Sequence, residues 1–154
     1  MIRKILYIFL ISMLPIIELR GAIPAGFALG IPAWVCFAVS ILGNMLPVPF
    51  IIFFIKKIIL WMEKVPKLDK VAFWLEEKAH KNATKVTRYA TWGLLIFVGI
   101  PLPGTGAWTG ALVAAMLDMD MKKAFWSILG GVVLAGVIVT AICSGVLGFL
   151  SFLL

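Results

Sequence analysis

Glu18 and Arg20 stand two residues apart in the segment Glu18-Leu19-Arg20-Gly21-Ala22-Ile23-Pro24, and between Ile5 and Ile55 the chain carries no other charge. A carboxylate in such surroundings can accept a proton or a cation, and a guanidinium offers a planar fork suited to an anionic group such as a phosphate. A charge at the bilayer centre costs about 2.5–3.5 kcal/mol on insertion scales, so the two groups must be paired, wetted or shallow. Residues two apart do not face each other on a regular helix. Direct pairing therefore asks for a non-helical backbone here, which Pro15, Gly21 and Pro24 permit. Two placements are open: a site at membrane depth, or a short loop between two full spans that sits in the headgroups.

A second locus offers only neutral polar groups. The run Pro101-Leu102-Pro103-Gly104-Thr105-Gly106 cannot continue a helix, since proline removes a donor and clashes with the preceding turn. Beside it stand Thr105, Thr109, the indole of Trp108 and the backbone N–H groups of a helix starting near Ala107. Such a terminus attracts anions, and a half-helix aimed at the bilayer midplane is its membrane version. Arg20 and this terminus are together suited to clamp one headgroup. Asn44, deep in an apolar run and followed by Pro47 and Pro49, suits either a tie between helices or a place on a pathway. Asp118 and Asp120, next to Lys122 and Lys123, read as helix caps.

Other chemistries find little support. His80 is the lone histidine, and Cys36 and Cys143 lie in apolar stretches, so neither a metal cluster nor a disulfide is expected, and no cofactor. No Ser/His or paired-aspartate arrangement falls at membrane depth, and Glu18 lacks a nucleophile or metal partner, so an enzyme is not expected.

The elements that position these residues follow from composition. Of 154 residues, 63% are hydrophobic and 14% charged, and the mean hydropathy is +1.12, outside the range of soluble domains. The solvent is lipid. The net charge of +7 comes from basic residues clustered at the ends of apolar blocks, as anionic headgroups demand, so nucleic acid is not an expected partner. Arg3 and Lys4 before an apolar run resemble a signal peptide, but no small-x-small cleavage site precedes a polar region.

A helix needs about 20 residues to cross the hydrocarbon core. Residues 89–117 contain Gly93, Gly99, Pro101, Pro103, Gly104, Gly106 and Gly110, and split into pieces at about 91–100 and 107–117, each reaching roughly half-way. The N-terminal block divides likewise into 5–14, a break at 15–24 and a short piece ending near Gly30. Re-entrant hairpins are the natural solution, and irregular backbone at that depth lines protein or a wet cavity. Longer apolar segments follow at about 33–55 and 124–154, each carrying Ser-Ile-Leu-Gly, at 40–43 and 127–130. The order of break, Gly-Ala, short helix and Ser-Ile-Leu-Gly helix thus occurs twice. Between the halves, Leu68, Val71, Ala72, Leu75, Ala79, Ala83 and Val86 recur at helical spacing, and Trp61, Trp74 and Trp92 suit interfacial anchors.

The chain reads as an all-α integral membrane protein with one membrane domain, 1–154. Two inverted repeats, 1–55 and 91–154, each combine a re-entrant hairpin with a transmembrane helix, and an amphipathic surface helix at 56–90 joins them. The basic linker is expected in the cytoplasm of a multi-pass cell-membrane protein, which leaves Arg3 and Lys4 outside, against the positive-inside trend. Two crossings and two hairpins enclose little, so a homodimer is expected.

The segments Glu-Leu-Arg-Gly-Ala-Ile-Pro at 18–24 and Pro-Leu-Pro-Gly-Thr-Gly-Ala-Trp-Thr-Gly at 101–110 resemble the putative small multidrug export protein family over nearly the whole chain. That family is distantly similar to the DedA superfamily, associated with paired re-entrant hairpins and with moving phospholipids or polyprenyl-phosphate carriers, often with proton coupling. The resemblance implies functional roles for Glu18, Arg20, Gly21, Pro24, Pro101, Pro103, Gly104, Thr105, Gly106 and Thr109. The second motif lacks the arginines and acids that DedA proteins place near their second hairpin. The expected function is a transporter or lipid translocator moving an anionic amphiphile or a small drug-like molecule, with protons at Glu18 and lipids as partners. The alternative is a non-transporting membrane-organising or assembly factor.

Overall fold

The chain is described here by a computed structural model covering residues 1–62, 89–102 and 104–153, with side-chain detail for 1–58, 89–102 and 104–145. Among the described residues the secondary structure is helical throughout, without strands. In order the helices are α1 (Ile2–Ser12), α2 (Glu18–Ala28), α3 (Ala33–Met45), α4 (Val48–Met62), α5 (Tyr89–Gly99), α6 (Ala107–Met116) and α7 (Met121–Leu153). The remainder of the expected linker helix, residues 63–88, lies outside the described residues.

Two helical stretches are long and apolar enough to cross a membrane: Ala33–Ile58, which joins α3 to α4, and Met121–Gly145 of α7. The first was expected as one segment and is interrupted at Leu46 and Pro47. Pro47 and Pro49 bring no N–H to the ladder, yet Ile51 still donates to the Pro47 carbonyl at 2.9 Å, so the axis is kinked and the chain continues. Both stretches turn large apolar side chains outward, among them Trp34, Phe50, Phe53 and Phe54 on one and Trp126 and Ile142 on the other. That surface suits lipid.

Each long stretch follows a helix–break–helix unit, and the two units end alike. At the end of α2, Gly30 takes a φ of +71° while Ile31 donates to the Gly26 carbonyl at 3.0 Å and Gly30 to Phe27 at 2.9 Å. At the end of α6, Asp118 takes a φ of +46° while Met119 donates to Ala114 at 3.0 Å and Asp118 to Ala115 at 3.1 Å. Both are Schellman caps, with a left-handed residue that turns the chain sharply into the next helix. α7 then starts on Asp120, whose carboxylate accepts the N–H groups of Lys122 and Lys123 at 3.1 and 3.2 Å. A lysine covers each turn: Lys4 donates to the Leu29 carbonyl at 2.8 Å, and Lys56 to the Met119 carbonyl at 2.7 Å and to Asp118 at 2.8 Å.

Packing fixes the layout. Gly43 of α3 lies against the Phe9 carbonyl of α1, and Gly131 of α7 against the Leu95 carbonyl of α5, so each long helix touches the backbone of its own hairpin. α3–α4 begins beside the outer end of α1–α2 and reaches Asp118, at the outer end of α5–α6, through Lys56. α7 begins there and passes α3 where Gly136 meets Phe37 and Ile41. The long stretches are therefore antiparallel, and the hairpin tips meet between them. The main core, with Leu19, Ile23, Val48, Ile52, Val98, Ile128 and Val132, fills the junction of both halves.

Candidate functional site at the hairpin tips

The second break leaves two helix ends exposed in the middle of the molecule. α5 stops at Gly99 because Pro101 follows, which orphans its last carbonyls, and α6 starts at Ala107 with no capping side chain of its own. Both ends are closed by residues of the first hairpin.

Glu18 closes the start of α6. It is the first residue of α2, held at φ +49°, a left-handed conformation that residues other than glycine adopt rarely. Its side chain is 4% exposed, and Oε1 accepts the Trp108 N–H at 3.2 Å, with the Ala107 N–H also turned toward the carboxylate. Gly106 makes this approach possible, since any side chain there would overlap the carboxylate. A negative charge thereby meets the positive end of the α6 dipole.

Arg20 closes the end of α5. Its guanidinium donates to the carbonyls of Val98 (3.3 Å), Ile100 (3.1 Å) and Leu102, and to the Thr105 hydroxyl oxygen at 3.0 Å. Thr105 Oγ1 lies 2.8 Å from the Ile100 carbonyl and 3.0 Å from that of Leu102, so its own proton goes to one of the same carbonyls. A planar fork with several donors fits this fan of acceptors as a lysine could not.

The sequence left direct pairing of Glu18 with Arg20 open, and the structure does not show it: among the described residues the salt bridge formed is Lys56 with Asp118. The backbone is left-handed at Glu18 and runs on as α2, and each side chain finds a different helix end, Glu18 the start of α6 and Arg20 the end of α5. Nor is the start of α6 open for a headgroup, since Glu18 occupies it. The tips are tied a third time by the Trp108 indole, whose Nε1–H donates to the Met13 carbonyl at 3.0 Å, just past the end of α1.

Between the tips lies a cavity of about 430 Å³. Of the residues singled out from sequence, Glu18, Arg20, Gly21, Pro101, Gly104, Gly106 and Thr109 line it, while Thr105 and Trp108 hold its walls through the bonds above. Pro24 lies inside α2 and not on the cavity, so the first break is narrower than expected, 13–17 instead of 15–24. Pro103 lies outside the described residues. Asn44 is fully buried but away from the lining, and its amide atoms have no partner, as is also true of the Ser40 hydroxyl one turn earlier. Pro15, Ile16 and Ile17, inside the first break as read from sequence but not singled out as site residues, also line the cavity, and the carbonyls that hold Arg20 were not foreseen. One signal was available: a proline that ends a helix at depth orphans carbonyls, and no basic residue in the same block can serve them.

The family model described as "Putative small multi-drug export protein" matches residues 18–138, more than half of the chain, and the chain belongs to that family. The match begins at Glu18, just past the first break, and takes in the second. No curated protein and no solved structure matches the chain. Membership of an export-protein family, with the two long apolar stretches, identifies a membrane protein of the transporter class.

Proposed function

We propose that this protein is a transporter or lipid translocator of DedA-like type, whose substrate passes through the cavity between the two hairpin tips. The observation that carries the reading is the meeting of two helix breaks around a cavity of about 430 Å³ with a carboxylate and a guanidinium on its walls. Such a volume accommodates a lipid headgroup or a small drug-like molecule. Irregular backbone at membrane depth is stable only where protein or a wet cavity serves its polar groups.

In this reading α1–α2 and α5–α6 are re-entrant hairpins that enter from opposite faces, and the two halves are inverted repeats. The antiparallel course of α3–α4 and α7 supports that arrangement, as do cations at both outer ends, Arg3 and Lys4 at one and Lys56, Lys57, Lys122 and Lys123 at the other. The larger basic cluster puts the linker end in the cytoplasm. Alternating access is a rocking of one hairpin with its long helix against the other, about the fixed tips. A second copy completes the enclosure, since two crossings shield little.

Reconstitution in vesicles tests this. Purified protein is expected to move fluorescent phospholipid, polyprenyl phosphate or a cationic dye across the bilayer under a pH gradient. Failure with all three, in either gradient direction, would reject the proposal.

A further inference from the structure

Asn44 is fully buried on α3, and among the described residues neither the oxygen nor the nitrogen of its amide meets a protein group; the same holds for the hydroxyl of Ser40. Residues four apart are neighbours on one helix face, about 5–6 Å apart at Cβ, so the two groups form one polar patch. Leaving an amide and a hydroxyl dry inside a membrane protein is costly. The neighbours of the patch on α3 show where it faces. Cys36 lies against Gly26 of α2, Phe37 and Ile41 against Gly136 of α7, and Gly43 against Phe9 of α1. With about 3.6 residues per turn, Ser40 and Asn44 fall between the Cys36 side and the Ile41 side, and so look into the seam where α2 and α7 pack on α3. The side chains that α2 and α7 bury in the main core, among them Leu19, Ile23, Val132 and Ala135, are apolar and offer no partner.

The seam is built of small residues at this level. From the Gly26–Cys36 contact, four residues along each helix lead to Ala22 and Ser40, both small and fully buried. Eight residues lead to Glu18 and Asn44, about 12 Å along antiparallel axes, so the patch ends level with the hairpin tips. It is separate from the cavity, whose lining includes neither Ser40 nor Asn44. The chemistry of the patch selects its occupant. It presents donors, the amide N–H pair and the hydroxyl, as well as acceptors, and a ligand has to answer both. A metal cation would answer the acceptors alone, and would lack a counter-charge: α3 has no acidic residue, and the Glu18 carboxylate is committed to α6. We infer that Ser40 and Asn44 together hold bound water in the seam of α2, α3 and α7, at the depth of the hairpin tips. The repeat confines this site to the first half. Ser127 takes the place of Ser40 in the second Ser-Ile-Leu-Gly, buried and without a partner, but Gly131 stands where Asn44 does and rests on the Leu95 carbonyl. The seam parts α3, of the first half, from α7, of the second. A water bridge there exchanges partners when the helices shift, whereas a direct asparagine tie would have to break.

The test is solid-state NMR on the full chain in lipid bilayers, labelled with nitrogen-15 at asparagine, in which magnetisation starts on water and is followed onto the protein. The chain has two asparagines, Asn44 and Asn82, so an Asn82→Gln background leaves one side-chain amide and one asparagine backbone N–H to compare. The expected result is faster build-up on the Asn44 side-chain amide than on its own helical N–H. Ser40→Ala should slow that build-up at least about twofold, since the water loses one of its few partners, and Ser127→Ala should leave it unchanged. Build-up on the side chain no faster than on the backbone would mean an amide bonded to protein, and would overturn the inference. So would an unchanged rate in Ser40→Ala, or equal slowing in Ser127→Ala. A shift of the Asn44 signal on exchanging sodium for potassium or choline would make the patch a cation site and overturn it as well. None of these readouts involves transport, so the proposed function and the water site can fail separately.

Discussion

In the first hairpin the backbone carries its hydrogen bonds through the turn. Leu14 donates to Ile11, Glu18 to Leu14 and Gly21 to Ile17, at 3.0–3.1 Å, so that α1 passes into α2 with few groups left over. In the second hairpin the prolines prevent this. Leu102 reaches back only to Ile100, Thr105 makes a long 3.4 Å contact to Leu102, and the ends of α5 and α6 stay open. The tip with continuous backbone bonding carries Glu18 and Arg20, and the hairpin with broken bonding carries no charge. The pair is therefore complementary: the tidy break exports its charges to the untidy one. A site whose walls come from both halves senses any change in how those halves sit.

Substitutions from the outside inward probe how the two halves hold each other. The largest effects are expected where each long helix rests on its own hairpin. A methyl added at Gly131 would stand 2.7 Å from the Leu95 carbonyl, and one at Gly43 would run into Phe9 backbone and the Ser12 hydroxyl. Gly131→Ala and Gly43→Ala should each cost about 2–3 kcal/mol in detergent unfolding, because backbone has to move. Gly145→Ala, which meets open space, should leave stability unchanged. A large loss at only one of the first two positions would show that the halves are not packed alike.

Next comes the exported cation. Arg20→Gln leaves the carbonyls of Val98, Ile100 and Leu102 short of a donor at a part-buried helix end and should cost about 2 kcal/mol, with Arg20→Lys recovering only part of it. Loss of activity with unchanged stability would make Arg20 a pure substrate ligand and break the complementarity. The smallest effect is expected at the third tie: Trp108→Phe keeps the ring and removes the Met13 bond, for about 1 kcal/mol, read by the same unfolding assay.

Much of this arrangement was legible in the chain. Pro101, Pro103 and the glycines around them can only break a helix, and Gly30 before Ile31-Pro32 reads as a helix end. The doubled order of features gave the two units and the long helix after each. Other features depended on atoms that no side-chain pattern names. Pro24 looked like part of the first break but sits inside α2, because a proline within a packed membrane helix removes one bond without ending it. Pro47 and Pro49 kink the first long stretch for the same reason. Asp118 in a left-handed cap has no sequence signal, since glycine is the usual occupant. Above all, Glu18 and Arg20 stand two residues apart in sequence, which favours the thought of a pair. Their partners are backbone groups about 80 to 90 residues away.

Passage through the tips requires that they meet at membrane depth, and Ile16 is placed to report it. It lies at the first tip, lines the cavity and is 94% exposed. A nitroxide on Ile16→Cys, in a Cys36→Ala, Cys143→Ala background reconstituted in bilayers, can be tested for collision with oxygen, which concentrates in hydrocarbon, and with a water-soluble nickel chelate. Strong oxygen collision is expected, at a depth near the bilayer centre. Strong nickel access with weak oxygen collision would place the first break among the headgroups and contradict passage through the tips.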